Sequence, residues 1–305
     1  NSMKQALFVL EWRRLAASFV LSLALGLAVI GAIAFFLISS VRQQQTHEAI
    51  RAQMAAKQTA LHQANGSWIY VANHPNETNP VSVAQAKQKV LHANQLTRLY
   101  EQQREAFSQG DNRNYLKTSL RVFDQEKILK TLTPDDFSAD LIANQHQASL
   151  FRKLLTTHQG YEINGSSTLP AVFLTDFSSL LSHWSVILLM VMILSTTWTL
   201  SWFGKQHEWV MLNQPNSWIW LGMNFLVALL TWFVMLGIAL SLSLLISKIW
   251  GQPFINGHHG WQNNATNVAQ SLKVLFQENL LESVVRFGLI YFIWQILCLF
   301  AARIR

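Results

Sequence analysis

Residues 204–218, GKQHEWVMLNQPNSW, set charge, a histidine, a proline and two tryptophans between two long apolar blocks. Gly204-Lys205 has the ending of a phosphate-cradling loop, but the earlier glycine is missing and Gln206 stands in place of the hydroxyl residue. Nucleotide binding by that route is excluded. His258-His259 offers two imidazoles, yet neighbouring histidines do not easily share one metal from a helix, and no Cys, Asp or Glu stands close. A solvent loop is the expectation there. Ser241, Ser243 and Ser247 fall in an apolar stretch, where hydroxyls serve helix packing or bond to backbone. No Ser/His/Asp grouping shows in the spacing. The chain is therefore expected to have no catalytic residues, cofactor or metal of its own.

The elements that carry these residues follow from composition. Half of the 305 residues are hydrophobic and only 13% are charged, a charge content about half that of a soluble domain. Four stretches reach the roughly 20 apolar residues that a helix needs to cross a bilayer. They run over 15–40, 184–203, 218–249 and 284–302, the last holding Cys298, the single cysteine. The third is longer than required, so it tilts, kinks at Gly237 or extends into water. The expected fold is an all-α integral membrane protein with four transmembrane helices. The net charge of +7 comes without a basic run, which excludes a nucleic-acid partner.

Lys4, Arg13, Arg14, Lys205, Arg303 and Arg305 fall on one side if the helices alternate, whereas Arg42, Lys248 and Arg286 do not. The positive-inside bias makes the first side cytoplasmic, with both termini inside, in a plasma membrane of bacterial type. Trp12, Trp184, Trp202, Trp218, Trp220 and Trp250 stand near span ends and are expected as interfacial anchors. No Asp or Glu lies within the four stretches, which argues against ion-coupled transport.

Residues 41–183 and 250–283 are then extracytoplasmic, and the sequons at Asn65, Asn76, Asn164 and Asn264 all fall there. Residues 41–64 hold good helix formers without Gly or Pro, so the first span is expected to continue outward as one helix. Asn73 to Pro80 is a break. Val83, Ala86, Val90, Ala93 and Leu96 mark the buried face of a second helix. After a turn at Gly110-Asp111-Asn112, Leu116, Leu120, Phe123, Ile128 and Leu129 mark a third. Thr133-Pro134-Asp135-Asp136 reads as the start of a fourth, with Leu141, Leu150, Phe151, Leu154 and Leu155 on its inner face. Residues 160–170 return the chain as a loop. This is a helical hairpin or small bundle, and its 14 Lys+Arg against 12 Asp+Glu over 42–182 create no strong field.

Glu208, Leu212, Gln214-Pro215-x-Ser217 and Gly222 together resemble the signature of ABC-2-type exporter permeases, in which a glutamate-bearing cytoplasmic segment leads through a Gln-Pro-x-Ser turn into a span. Trp209-Val210 replaces the usual Gly-Thr, and Trp218 replaces a basic residue. Residues 5–14, QALFVLEWRR, are similar to the amphipathic elbow helix of the same family, through Glu11, Trp12, Arg13 and Arg14. Those permeases usually have six spans. Four spans with a domain after the first is the topology of the FtsX/MacB-like mechanotransmission permeases, which stay as the second choice.

The resemblance implies a domain order: elbow 1–14, span 15–40, extracytoplasmic helical domain 41–183, span 184–203, coupling segment 204–217, span 218–249, extracytoplasmic loop 250–283, and span with short tail 284–305. It implies that Lys205, His207, Glu208, Trp209, Leu212, Gln214 and Pro215 form a knob in the groove of a separate ABC ATPase subunit, which binds ATP and magnesium. A second permease chain, identical or homologous, and the lipid bilayer are the other partners. The implied function is export of, or resistance to, a peptide or lipid-like substrate. The alternative is a membrane sensor or assembly protein without transport.

Overall fold

The structure, a computed structural model, describes residues 2–74, 80–203, 217–261 and 270–304. Among the described residues the regular structure is helical, with no strand. The helices are α1 (Ser2–Ala17), α2 (Phe19–Asn73), α3 (Pro80–Gln109), α4 (Asn112–Leu132) and α5 (Leu141–Thr156). They continue as α6 (Pro170–Ser182), α7 (Trp184–Phe203), α8 (Ser217–Trp250) and α9 (Leu272–Ile304). The chain divides into two compact units: 1–38, 173–251 and 272–305 form the apolar unit, and 39–172 with 252–271 form the second. The boundary falls inside α2.

Phe19–Asn73, Trp218–Trp250 and Leu272–Ala301 are long and apolar enough to cross a membrane. A fourth candidate is the pair α6 and α7, bent by 61° at a short break. Three apolar helices in one chain make it compatible with a multi-pass membrane protein. The apolar stretch expected over 184–203 is the helix α7 with those bounds, and a further helix, α6, precedes it across a break at His183. Ser178 Oγ bonds to Thr175 O at 2.7 Å and Ser182 Oγ to Ser179 O at 2.9 Å, offering carbonyls a partner outside the helical ladder. The long third span, by contrast, is one helix through Gly237.

The core of the second unit forms where α3, α4 and α5 bury their helical stripes. Leu61, Leu96, Leu116, Leu129 and Leu154 are fully enclosed there, together with Phe107 and Phe151. Val83, Ala86, Ala93 and Leu96 lie inward as the periodicity requires. Gly110 turns the chain at φ 72°, a left-handed conformation that suits glycine, and Asp111 then caps α4 by accepting from Asn114 N–H at 3.0 Å.

The expected helix start at Thr133–Asp136 is wrong. Thr133 instead closes α4 through its N–H to Leu129 O, and Lys130 Nζ holds the carbonyls of Pro134 (2.5 Å) and Phe137 (2.8 Å). The next helix starts only at Leu141, where Asp140 Oδ1 accepts from Ile142 N (3.1 Å) and Ala143 N (3.0 Å). Two cap signals competed, and the one with free amides ahead of it won.

The expected loop 250–283 is also redrawn, because α9 begins at Leu272. Its first part is no solvent loop either. Phe254 and Ile255 are core residues of the second unit, and Gly257 passes so close to Gly160 that a Cβ on it would meet the Gly160 Cα at 2.9 Å. Of the sequons, Asn65 is buried with its Nδ2 on Asn94 Oδ1 at 3.1 Å, while Asn76 and Asn264 lie outside the described residues.

Candidate functional site: buried carboxylates that tie helices together

Helix α1 is short of acid and base except for Glu11, Arg13, Arg14 and Lys4, and its Phe8, Glu11 and Leu15 share a face at helical spacing. That face is the one the fold uses. Leu15 is buried and Phe8 half-buried in the apolar core, so Glu11 between them is carried inside, 5% exposed. Trp12 and Arg13 stay exposed.

A carboxylate inside apolar surroundings must find donors. Glu11 Oε1 accepts from the indole N–H of Trp220 at 2.8 Å, and Oε2 accepts from Asn224 Nδ2 at 3.1 Å. Arg14 approaches Oε1 at 3.8 Å. Trp220 and Asn224 stand one turn apart on α8, so a single helix face meets both oxygens. Asn224 passes the chain of bonds on: its Oδ1 accepts from Tyr291 OH at 2.8 Å and from Gln295 Nε2 at 2.7 Å, both on α9. Trp198 of α7 tilts against Trp220 with ring centres 4.6 Å apart. The polar set stitches α1, α8 and α9. Gln295 Oε1 has no partner among the described residues, which leaves one buried acceptor unsatisfied.

This corrects two expectations. Trp220 is no interfacial anchor but an internal donor, 2% exposed, whereas Trp184, Trp218 and Trp250 are exposed as anchors would be. The apolar stretches do lack a buried acid of their own, yet α1 supplies one from outside them. Of the elbow set Glu11, Trp12, Arg13 and Arg14, only Glu11 points inward. The coupling set Lys205, His207, Glu208, Trp209, Leu212, Gln214 and Pro215 lies outside the described residues. Ser243 is fully buried, as a packing residue would be, and Ser241 is exposed.

Sequence reasoning missed Asn224, Tyr291 and Gln295. A signal existed: Trp220/Asn224 and Tyr291/Gln295 are polar pairs at four-residue spacing inside apolar runs. Isolated amides there are expensive unless they face one another.

The second unit holds two further buried carboxylates. Glu126, 1% exposed, accepts from Tyr100 OH (2.6 Å), Lys57 Nζ (3.0 Å) and Asn144 Nδ2 (2.5 Å), which joins α2, α3, α4 and α5. Burial, with Glu126 beside it, pushes the Tyr100 hydroxyl well above the usual tyrosine range. Glu162 is fully buried; Ser167 OH donates to its Oε2 at 2.7 Å and Phe254 N–H to its Oε1 at 2.8 Å. Burial raises Glu162 to about 7, against the pull of those two bonds. His47 Nε2 meets the carbonyl of the same Phe254 at 2.5 Å, so both backbone groups of one residue are held by titratable side chains. His259, expected in solvent, is instead buried with Nδ1 on Gly160 O at 2.7 Å.

These arrangements hold helices and a strap in register; none pairs a nucleophile with a base. No family model matches the chain, and no match is found among curated proteins or among solved structures.

Proposed function

We propose that this chain is the membrane subunit of an ATP-driven ABC transporter, worked by a separate ATPase subunit that supplies ATP and magnesium. The carrying observation is α2: one helix of 55 residues takes an apolar segment that could span a bilayer directly into the polar helical unit. An unbroken helix that begins in a candidate span and ends in the polar unit gives force applied to the span a route into that unit, which is what work delivered at one side of a membrane and used at the other demands.

On this reading the second unit is extracytoplasmic and the six cytoplasmic cations keep both termini inside. The coupling knob comprises Lys205, His207, Glu208, Trp209, Leu212, Gln214 and Pro215, and Glu11 fastens the elbow helix α1 to the spans. Two permease chains surround one path, and the cargo is a peptide or lipid-like molecule.

The test is co-purification and ATPase stimulation. The chain, taken natively from its membrane, is expected to bring an ATPase subunit with it. Trp209→Ala and Leu212→Ala should each release that subunit or abolish stimulation at matched expression, because buried apolar anchors carry most of such a contact. Purification without any ATPase, or wild-type behaviour of both variants, would leave a sensor or assembly protein as the better reading.

A further inference from the structure

The break between α6 and α7 stands beside an apolar cavity of the apolar unit, about 200 Å³. Its wall is built by Leu27 and Gly31 of α2, Phe177 and Leu181 of α6, Met190 of α7 and Met235 of α8. Almost nothing polar faces it. The next residue after Leu181 is Ser182, whose carbonyl the break has freed from the helical ladder. Arg286 Nη1 donates to that carbonyl at 2.6 Å, and Ser283 OH donates to Leu181 O at 3.2 Å. Arg286 also forms an ion pair with Glu282 through Nη2, and its guanidinium lies over the Trp184 ring, 4.8 Å from the centroid. Arg286 and Glu282 keep 24% and 45% of their side-chain surface exposed, so both charges can still meet a ligand.

An apolar chamber next to one accessible cation and one accessible anion has the complementarity of a particular amphiphile. We infer that this is a binding site for a zwitterionic glycerophospholipid of the phosphatidylethanolamine type. One acyl chain fills the cavity, the phosphate faces Arg286 and the ammonium faces Glu282. A lipid with only an anionic headgroup gains from Arg286 but meets repulsion from Glu282. The inference rests on the helices lying in a bilayer and does not need an ATPase partner. Gly31 makes the chamber testable, since a Cβ there meets nothing within 4 Å and a larger side chain grows into open space.

The experiment uses the full chain in nanodiscs with phosphatidylethanolamine or phosphatidylglycerol probes, each with the same diazirine-bearing acyl chain, and maps the labelled peptides by mass spectrometry. Label is expected on the peptides holding Leu27–Gly31 and Met235, displaced by excess unlabelled phosphatidylethanolamine. The zwitterionic probe should label about threefold more than the anionic one, the scale of a half-exposed ion pair. Gly31→Leu should remove the cavity label. Glu282→Gln leaves Arg286 on Ser182 and should turn the preference toward phosphatidylglycerol. Label spread over lipid-facing positions without competition overturns the site, as does equal labelling by the two probes. An unchanged preference in Glu282→Gln does the same. Because no nucleotide or partner is present, these failures are distinct from failure of the transporter reading.

Discussion

Glu11 and Glu126 are both buried acids, the first accepting two hydrogen bonds and the second three, but they sit in opposite kinds of structure. Around Glu11 the bonds within 3.1 Å come from an indole and an amide, and the cation stays 3.8 Å away. Around Glu126 a lysine ammonium lies at 3.0 Å, with a phenol and an amide completing the shell. Glu11 fastens one peripheral helix to an apolar unit whose other helices already pack by themselves. Glu126 is the junction of four helices around the hydrophobic core of the second unit. A buried carboxylate therefore works as a clasp in the first case and as a keystone in the second, and the number of helices it joins decides how much is lost with it.

The largest effect should follow from Glu126→Ala. It strands the buried Tyr100 and Asn144 without their acceptor, at about 1–3 kcal/mol for each buried donor left unsatisfied, while Lys57, 39% exposed, can turn to solvent. Hydrogen exchange is expected to accelerate through α3, α4 and α5 while α8 and α9 keep their protection. Loss confined to α4 would break the keystone description.

Glu11→Gln is expected to cost less, about 1–3 kcal/mol, because an amide retains one acceptor for Trp220 or Asn224 but presents a donor to the other. The loss should appear as faster exchange of α1 amides with the rest of the apolar unit unchanged. Equal loosening of α8 and α9 would show that Glu11 is no mere clasp.

The third effect concerns pH. Glu162 has its folded value raised from 4.5 to about 7, so the folded state retains a proton that the unfolded chain releases. Its contribution is most favourable below about 4.5, declines as pH rises toward 7 and is flat above. Thermal unfolding of the second unit at pH 5 and at pH 8 should show this slope, and Glu162→Gln should flatten it while leaving the Phe254 N–H an acceptor. A slope that persists in Glu162→Gln would show that Glu162 does not carry it.

Much of the architecture was open to reading from local pattern. The stripe Val83, Ala86, Ala93 and Leu96 announced a helix face, and it is buried. The polar run after the first apolar stretch announced a helix that does not stop at the membrane's edge, and α2 indeed continues to Asn73. The start of α5 was misplaced because Thr133-Pro134-Asp135-Asp136 has every local property of a cap. What it lacks is visible only in three dimensions: Lys130 ties that segment into a turn.

The sequence alone pointed to helices long and apolar enough to cross a membrane, because backbone bonds in lipid must close within a helix, and the structure is compatible with that class. The sequence also determined that Glu11 stands on an N-terminal helix beside basic residues. The tertiary structure decided that Glu11 faces inward, that Trp220 is its donor and that Asn224, Tyr291 and Gln295 complete the set. It decided as well that His259 and Phe254 belong to a core rather than to solvent. The physical reason is one of range. Helix formation answers to neighbours within a turn or two, whereas the fate of a lone polar group answers to partners some two hundred residues away.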